Sequence, residues 1–194
     1  MRTLLLAGCV LVALSAAAHA RTVHGLPDAM LDGWCKQLQE GEAYYTRGNW
    51  ETCDIGVNVQ SNYYRAFSNP ELGCVFDKVE RISSEVYLTR CAKSRAQYPY
   101  LTIFMLLDNQ LYLYDIQPIS KNTTTNYLVA KEIAINTLCR GSSEDYEAAC
   151  KERDNVLGPA LQKRGYCYGK HGQVEADMEW HRCTRQSWRQ DVRQ

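Results

Sequence analysis

Between residues 53 and 116 the chain alternates apolar and polar positions with a period of two. Cys53-Asp54-Ile55-Gly56-Val57-Asn58-Val59 alternates along its length, as a strand with one buried face does. Residues 74–79 and 86–91 predict two further strands, joined by a polar link around Ser83-Ser84. A turn about the Ile82–Ser83 bond sets Val79 against Val86 and Cys74 against Cys91. Opposed Cβ atoms lie about 4.5–5.5 Å apart, close to what a disulfide can bridge. Residues 102–107 and 110–114 predict a second hairpin, closed by Asp108-Asn109, two residues that tolerate the left-handed backbone of a tight turn. In that register Leu106 opposes Leu111 and Phe104 opposes Leu113. Strands at this spacing predict an antiparallel meander that closes into a small barrel or sandwich.

Before these strands the pattern fits two elements. Residues 27–45 can form a helix, with Pro27 in its first turn and Gly48 beyond its end. Alternatively a first strand starts at Gly33-Trp34-Cys35. That step is similar to the G-x-W opening of lipocalin-type barrels, except that Trp follows Gly directly, so nothing is carried over from it.

From about Asn126 the period lengthens. Residues 127–138 lean to helix. Ser142-Ser143-Glu144-Asp145 has the form of a capping box. Tyr146, Ala149, Cys150, Arg153 and Leu157 follow at helical spacing, an apolar stripe interrupted by one arginine. Pro159 starts a second helical piece that ends at Gly165. Residues 174–189 predict a third helix, with Trp180, Cys183 and Ser187 on one face. The expected fold class is therefore α+β: an antiparallel β-meander followed by a small disulfide-stapled helical subdomain. The expected boundaries are a leader over 1–20, a β-rich half over 21–118, a polar link over 119–125 and a helical half over 126–194.

The leader reading rests on a basic start at Arg2, an apolar run and an Ala18-His19-Ala20 cleavage pattern, the form of a secretory signal peptide. A lipoprotein processed at Leu6-Ala7-Gly8-Cys9 is the minor alternative, because apolar residues continue past Cys9. Of nine cysteines, Cys9 leaves with the leader and eight remain, an even set suited to full pairing in a secreted or periplasmic protein. Proximity pairs Cys35 with Cys53, Cys74 with Cys91 and Cys150 with Cys167, leaving Cys139 with Cys183. The last four allow three pairings, which the sequence leaves open.

Charge narrows the choice of partner. Lys+Arg and Asp+Glu each number 22, and loss of Arg2 leaves the exported chain one unit negative. A nucleic-acid partner would call for a basic excess, so none is expected; nor is a membrane span. Neighbouring cysteines in the exported chain are never closer than Cys139 and Cys150, so the C-x2–4-C pairs of a structural zinc site are missing. Cys167 and His171 are spaced as ligands but lie among glycines. No metal or other cofactor is expected. No nucleophile elbow or phosphate-binding loop occurs, and His181 one turn from Asp177 is the nearest approach to a catalytic pair. Asn122-Thr123-Thr124 is a formal glycosylation acceptor.

The remaining candidates are contact residues. Tyr112 and Tyr114 share a strand face, and Trp180, Arg185 and Trp188 mix aromatic and guanidinium groups near the C-terminus. The sequence leans away from an enzyme. It points to a binding protein, an inhibitor or envelope-associated module, whose partner is a protein or glycan outside the cytoplasm. A hydrolase and a purely structural envelope component are the alternatives.

Overall fold

The structure is a computed structural model that describes residues 21–39, 42–66, 73–92, 101–141 and 145–188. The leader, with Cys9, lies outside them, as do Ser142–Glu144 of the expected capping box and Arg189 of the expected third helix.

Among the described residues of the first half, nine strands form: β1 (Arg21–Val23), β2 (Asp32–Gln39), β3 (Glu42–Arg47), β4 (Gly56–Val59), β5 (Tyr63–Ala66), β6 (Gly73–Arg81), β7 (Val86–Cys91), β8 (Leu101–Leu107) and β9 (Gln110–Ile116). Among the described residues, eight of them close into an antiparallel barrel in the order β6-β5-β4-β2-β3-β9-β8-β7, with β7 returning to β6. The short β1 adds to β6 from outside that ring. The β8–β9 hairpin has the expected register, Leu106 opposite Leu111 and Phe104 opposite Leu113. Asp108 and Asn109 take the left-handed backbone at its turn, with φ of 49° and 62°.

One open choice is settled, for the strand at Gly33-Trp34-Cys35, and one β register is corrected. The first element is not a helix over 27–45. Asp28–Met30 makes one 3-10 turn, and β2 and β3 then form a hairpin in which Trp34 faces Arg47. Alternation of buried Trp34 with outward Cys35 suits a barrel wall better than a helix. The β6–β7 register also differs: Val79 opposes Thr89, and Cys91 opposes Phe76, because the turn sits around Ser83–Glu85 and a bulge lies between Phe76 and Lys78. Cys74 and Cys91 still bond, with Cα atoms 5.3 Å apart.

The barrel departs from a plain meander at one place. β2 lies between β3 and β4, so residues 48–55 must cross the outside of β2. Close approach there requires Gly33 and Gly56: a Cβ on Gly33 would lie 2.5 Å from the Gly48 carbonyl oxygen, and one on Gly56 2.0 Å from that of Trp50. The Cys35–Cys53 disulfide ties the crossing segment to the strand beneath it.

Inside, Trp34, Val57, Val59, Tyr64, Phe76, Phe104 and Leu111 fill the barrel. The Tyr64 and Phe76 rings meet Phe104 edge-on, at 5.6 and 5.7 Å between centroids. Trp34 donates its indole N–H to the Met30 carbonyl, while the Arg47 guanidinium lies 4.6 Å over its ring. Arg47 also donates to the Leu31 and Ala29 carbonyls, fastening residues 29–31 to the barrel.

The second half begins with α1 (Thr123–Arg140), whose first turn falls within the run expected to be a polar link. Asn122 caps it by accepting the Thr125 N–H at 3.0 Å. Ala130, Ala134, Ile135 and Leu138 of α1 pack on the outer side chains of Val86, Leu88, Ile103 and Met105. Helix α2 (Tyr146–Glu152) runs through a π-helical turn, Arg153–Leu157, into α3 (Gly158–Lys163). The widened turn has a local cause: Pro159 offers no N–H, and the Gly158 N–H reaches back to the Arg153 carbonyl. A small hairpin of β10 (Tyr166–Tyr168) and β11 (Trp180–Arg182) follows.

Candidate functional site

Three elements of the second half converge on one recess of about 300 Å³. From α1 come Glu132, Asn136 and Arg140, spaced four residues apart and so stacked along one helix face. The π-turn and α3 supply Arg153, Asp154 and Gln162. The C-terminal segment supplies Tyr168 and Trp180, directly opposed across β10 and β11, together with Glu175, Met178 and Trp188.

Glu132 is the unusual member, a carboxylate that is only 5% exposed. The Trp180 indole N–H donates to its Oε2 at 2.7 Å. Burial pushes the Glu132 carboxyl above the usual range, opposed by the Trp180 hydrogen bond and by the Arg153 and Arg140 charges. The Tyr168 hydroxyl is also raised, first by burial and then by the Glu132 charge. Arg153 donates to Asn136 Oδ1 at 2.9 Å and to both carboxylate oxygens of Asp154. Arg140 pairs with Glu175. Tyr168 and Trp180 form an aromatic wall, with ring centroids 5.5 Å apart, and the Trp188 side chain stands half-exposed on the rim.

Two disulfides hold these walls. Cys139–Cys150 joins the end of α1 to α2, beside Arg140 and Arg153, and Cys167–Cys183 closes the β10–β11 hairpin. This corrects the expected pairs Cys150–Cys167 and Cys139–Cys183. Cys150 and Cys167 flank a nearly unbroken helical run, and a dozen helical residues span about 18 Å, beyond disulfide reach. The expected third helix is corrected as well: residues 175–177 form one 3-10 turn, and 180–182 are strand. Gly169 and Gly172, with φ of 71° and 81°, turn the chain so that β11 can return against β10.

The sequence candidates separate into groups. Trp180 and Trp188 line the recess. Arg185 lies in an exposed turn and does not line it. Tyr112 and Tyr114 sit on the outer wall of β9; Tyr112 packs near Tyr44, with ring centroids 6.2 Å apart. The Asp177–His181 pair does not form: the His181 ring nitrogens meet the Glu179 carbonyl and the Ser187 hydroxyl, at 3.0 and 2.9 Å. Ser187 is buried and accepts the Thr184 N–H at 2.7 Å, so this contact locks a turn. Sequence reasoning missed Glu132, Asn136 and Gln162. The available signal was a charged pair, Lys131-Glu132, set inside the apolar run from Leu128 to Ile135.

A second recess of about 200 Å³ lies between α1 and the barrel, near Lys78, Glu80, Arg90 and Tyr127. Its buried carboxylate is already engaged: Glu80 accepts from Tyr127 at 2.6 Å and from Lys78 at 2.9 Å. Burial, then the Glu80 hydrogen bond, raises the Tyr127 hydroxyl. This cluster fastens α1 to β6. Among the described residues no three His, Cys, Asp or Glu side chains gather as a metal site, and no helix is long and apolar enough to cross a membrane.

No family model matches this chain. Comparison with family models, curated proteins and solved structures finds no counterpart. Four disulfides nevertheless mark the chain as one that matures in an oxidising, extracytoplasmic compartment.

Proposed function

We propose that this chain is a secreted or periplasmic, non-enzymatic binding protein, exported by the leader read at residues 1–20, with its ligand seat in the Glu132–Trp180 recess. The barrel is the scaffold. The observation that carries this reading is a buried carboxylate of raised pKa in a concave site, with aromatic walls and two guanidinium groups beside it. The disulfides at both walls hold that arrangement in advance of binding, which lowers the ordering cost of association. A hydrolase reading has the His181–Ser187 contact in its favour, but the buried and already bonded Ser187 hydroxyl leaves no place for a substrate carbonyl.

The test is capture from the envelope and extracellular fractions of the secreting cell, using immobilised protein with intact disulfides. The expected result is specific material retained by the wild type and reduced at least tenfold by Trp188→Ala. Equal retention by both proteins would remove the recess as the seat.

A further inference from the structure

Resting on that ligand seat, we infer that the recess takes a neutral sugar unit of a glycan, stacked on Trp188 and hydrogen-bonded by Asn136, Gln162 and Glu132. Glu132, Asp154 and Glu175 line the recess beside Arg140 and Arg153, so carboxylates and guanidiniums lie on the same walls. The guanidiniums oppose a cationic ligand such as a lysine side chain, and the carboxylates oppose a polyanion. Both arginines are also occupied: Arg140 pairs with Glu175, and Arg153 spans Asn136 and Asp154. Carboxylates already balance both charges, so the recess offers phosphate or sulfate no net positive site.

The chemistry left over is neutral and two-sided. Asn136, whose Oδ1 is held by Arg153, is fixed in orientation, and its amide N–H groups are donors. Glu132 uses Oε2 to accept from Trp180 and has a second carboxylate oxygen with which to accept. Gln162 adds an amide with both functions. Planar amide and carboxylate groups of this kind match the paired donor and acceptor character of neighbouring sugar hydroxyls. Trp188, 50% exposed on the rim, offers a broad apolar face to the C–H side of a pyranose ring. A volume of about 300 Å³ admits one ring with the rest of the chain outside.

The experiment uses the disulfide-intact protein on an array of neutral oligosaccharides, followed by tryptophan-fluorescence titration with each saccharide retained. Tetralysine and heparin serve as charged probes. The expected result is saturable binding of at least one neutral saccharide, weakened at least tenfold by Trp188→Ala and by Gln162→Ala. Retention of tetralysine or heparin alone would overturn the sugar class while leaving the recess as a binding site. A saccharide bound equally well by both variants would place it elsewhere, and an array without any neutral glycan bound would also overturn the inference.

Discussion

Replacing Trp180 with Phe isolates the bond that organises the recess. The change removes the indole N–H that reaches Glu132 at 2.7 Å while keeping an aromatic ring against Val129, Leu161 and Tyr166. Loss of a hydrogen bond to a charged group costs about 1.5–3 kcal/mol, and the smaller ring forfeits about 1–2 kcal/mol of packing. The expected deficit is therefore between about 2.5 and 5 kcal/mol, read from urea unfolding at pH 7. Glu132→Gln keeps an oxygen acceptor but no charge. In that background Trp180→Phe loses only a neutral bond, and the cycle shows a coupling of about 1 kcal/mol. The pH dependence has a definite sign. The Glu132 carboxyl is raised by folding, so the folded protein binds this proton more tightly than the unfolded chain. The associated stability is fully present below the unfolded carboxylate range and is lost as pH rises through the folded value. Without the indole donor the carboxyl rises further, so the deficit of Trp180→Phe widens from pH 4 to pH 7. Equal deficits at both pH values, with additive single changes, would refute this account of the bond.

Other perturbations address the scaffold. The double variant Cys35→Ala/Cys53→Ala opens a loop of sequence separation 18 and is expected to lose about 3 kcal/mol in chemical denaturation. Thiol titration of the unfolded, unreduced protein should find none of the eight cysteines from Cys35 to Cys183 free. Gly33→Ala forces a Cβ to within 2.5 Å of the Gly48 carbonyl oxygen and should cost about 1–3 kcal/mol, whereas Val75→Ala, on an exposed outer position, should leave the melting temperature nearly unchanged. Phe104→Ala, at the centre of the aromatic contacts inside the barrel, should cost about 3–5 kcal/mol by the same measurement.

The β8–β9 hairpin was legible because turn chemistry and alternation fix the same register: Asp108-Asn109 admits one tight turn, and a slip of one residue would put Phe104 outside. The β6–β7 register was less legible because Ser83-Ser84 allows several turns and no residue announces the bulge after Phe76. Placement of β2 between β3 and β4 leaves only an indirect mark, the outward Gly33 and Gly56, since strand order is set by long-range packing. In the second half, Trp180, Cys183 and Ser187 share a helical spacing by coincidence. Strand formation there depends on a partner, β10, and on the two glycine turns. The recess was half visible. Its tryptophans stand out in the sequence, whereas Glu132 looks like any solvent-facing helix residue until Trp180 is brought against it from 48 positions away.

The crossing of residues 48–55 over β2 has a consequence for the order of assembly. The β2–β3 hairpin is the wedge between the two ends of a six-strand ribbon, and β3 can dock only after β9 exists. As the chain emerges from its N-terminus, the early piece must therefore wait for a late one, a long-range closure of the kind that slows β-rich proteins. Oxidation of Cys35 with Cys53 needs no such wait, because both thiols lie within the early piece. The crossover can thus be tied as a knotless clasp while the far side of the ring is still being delivered.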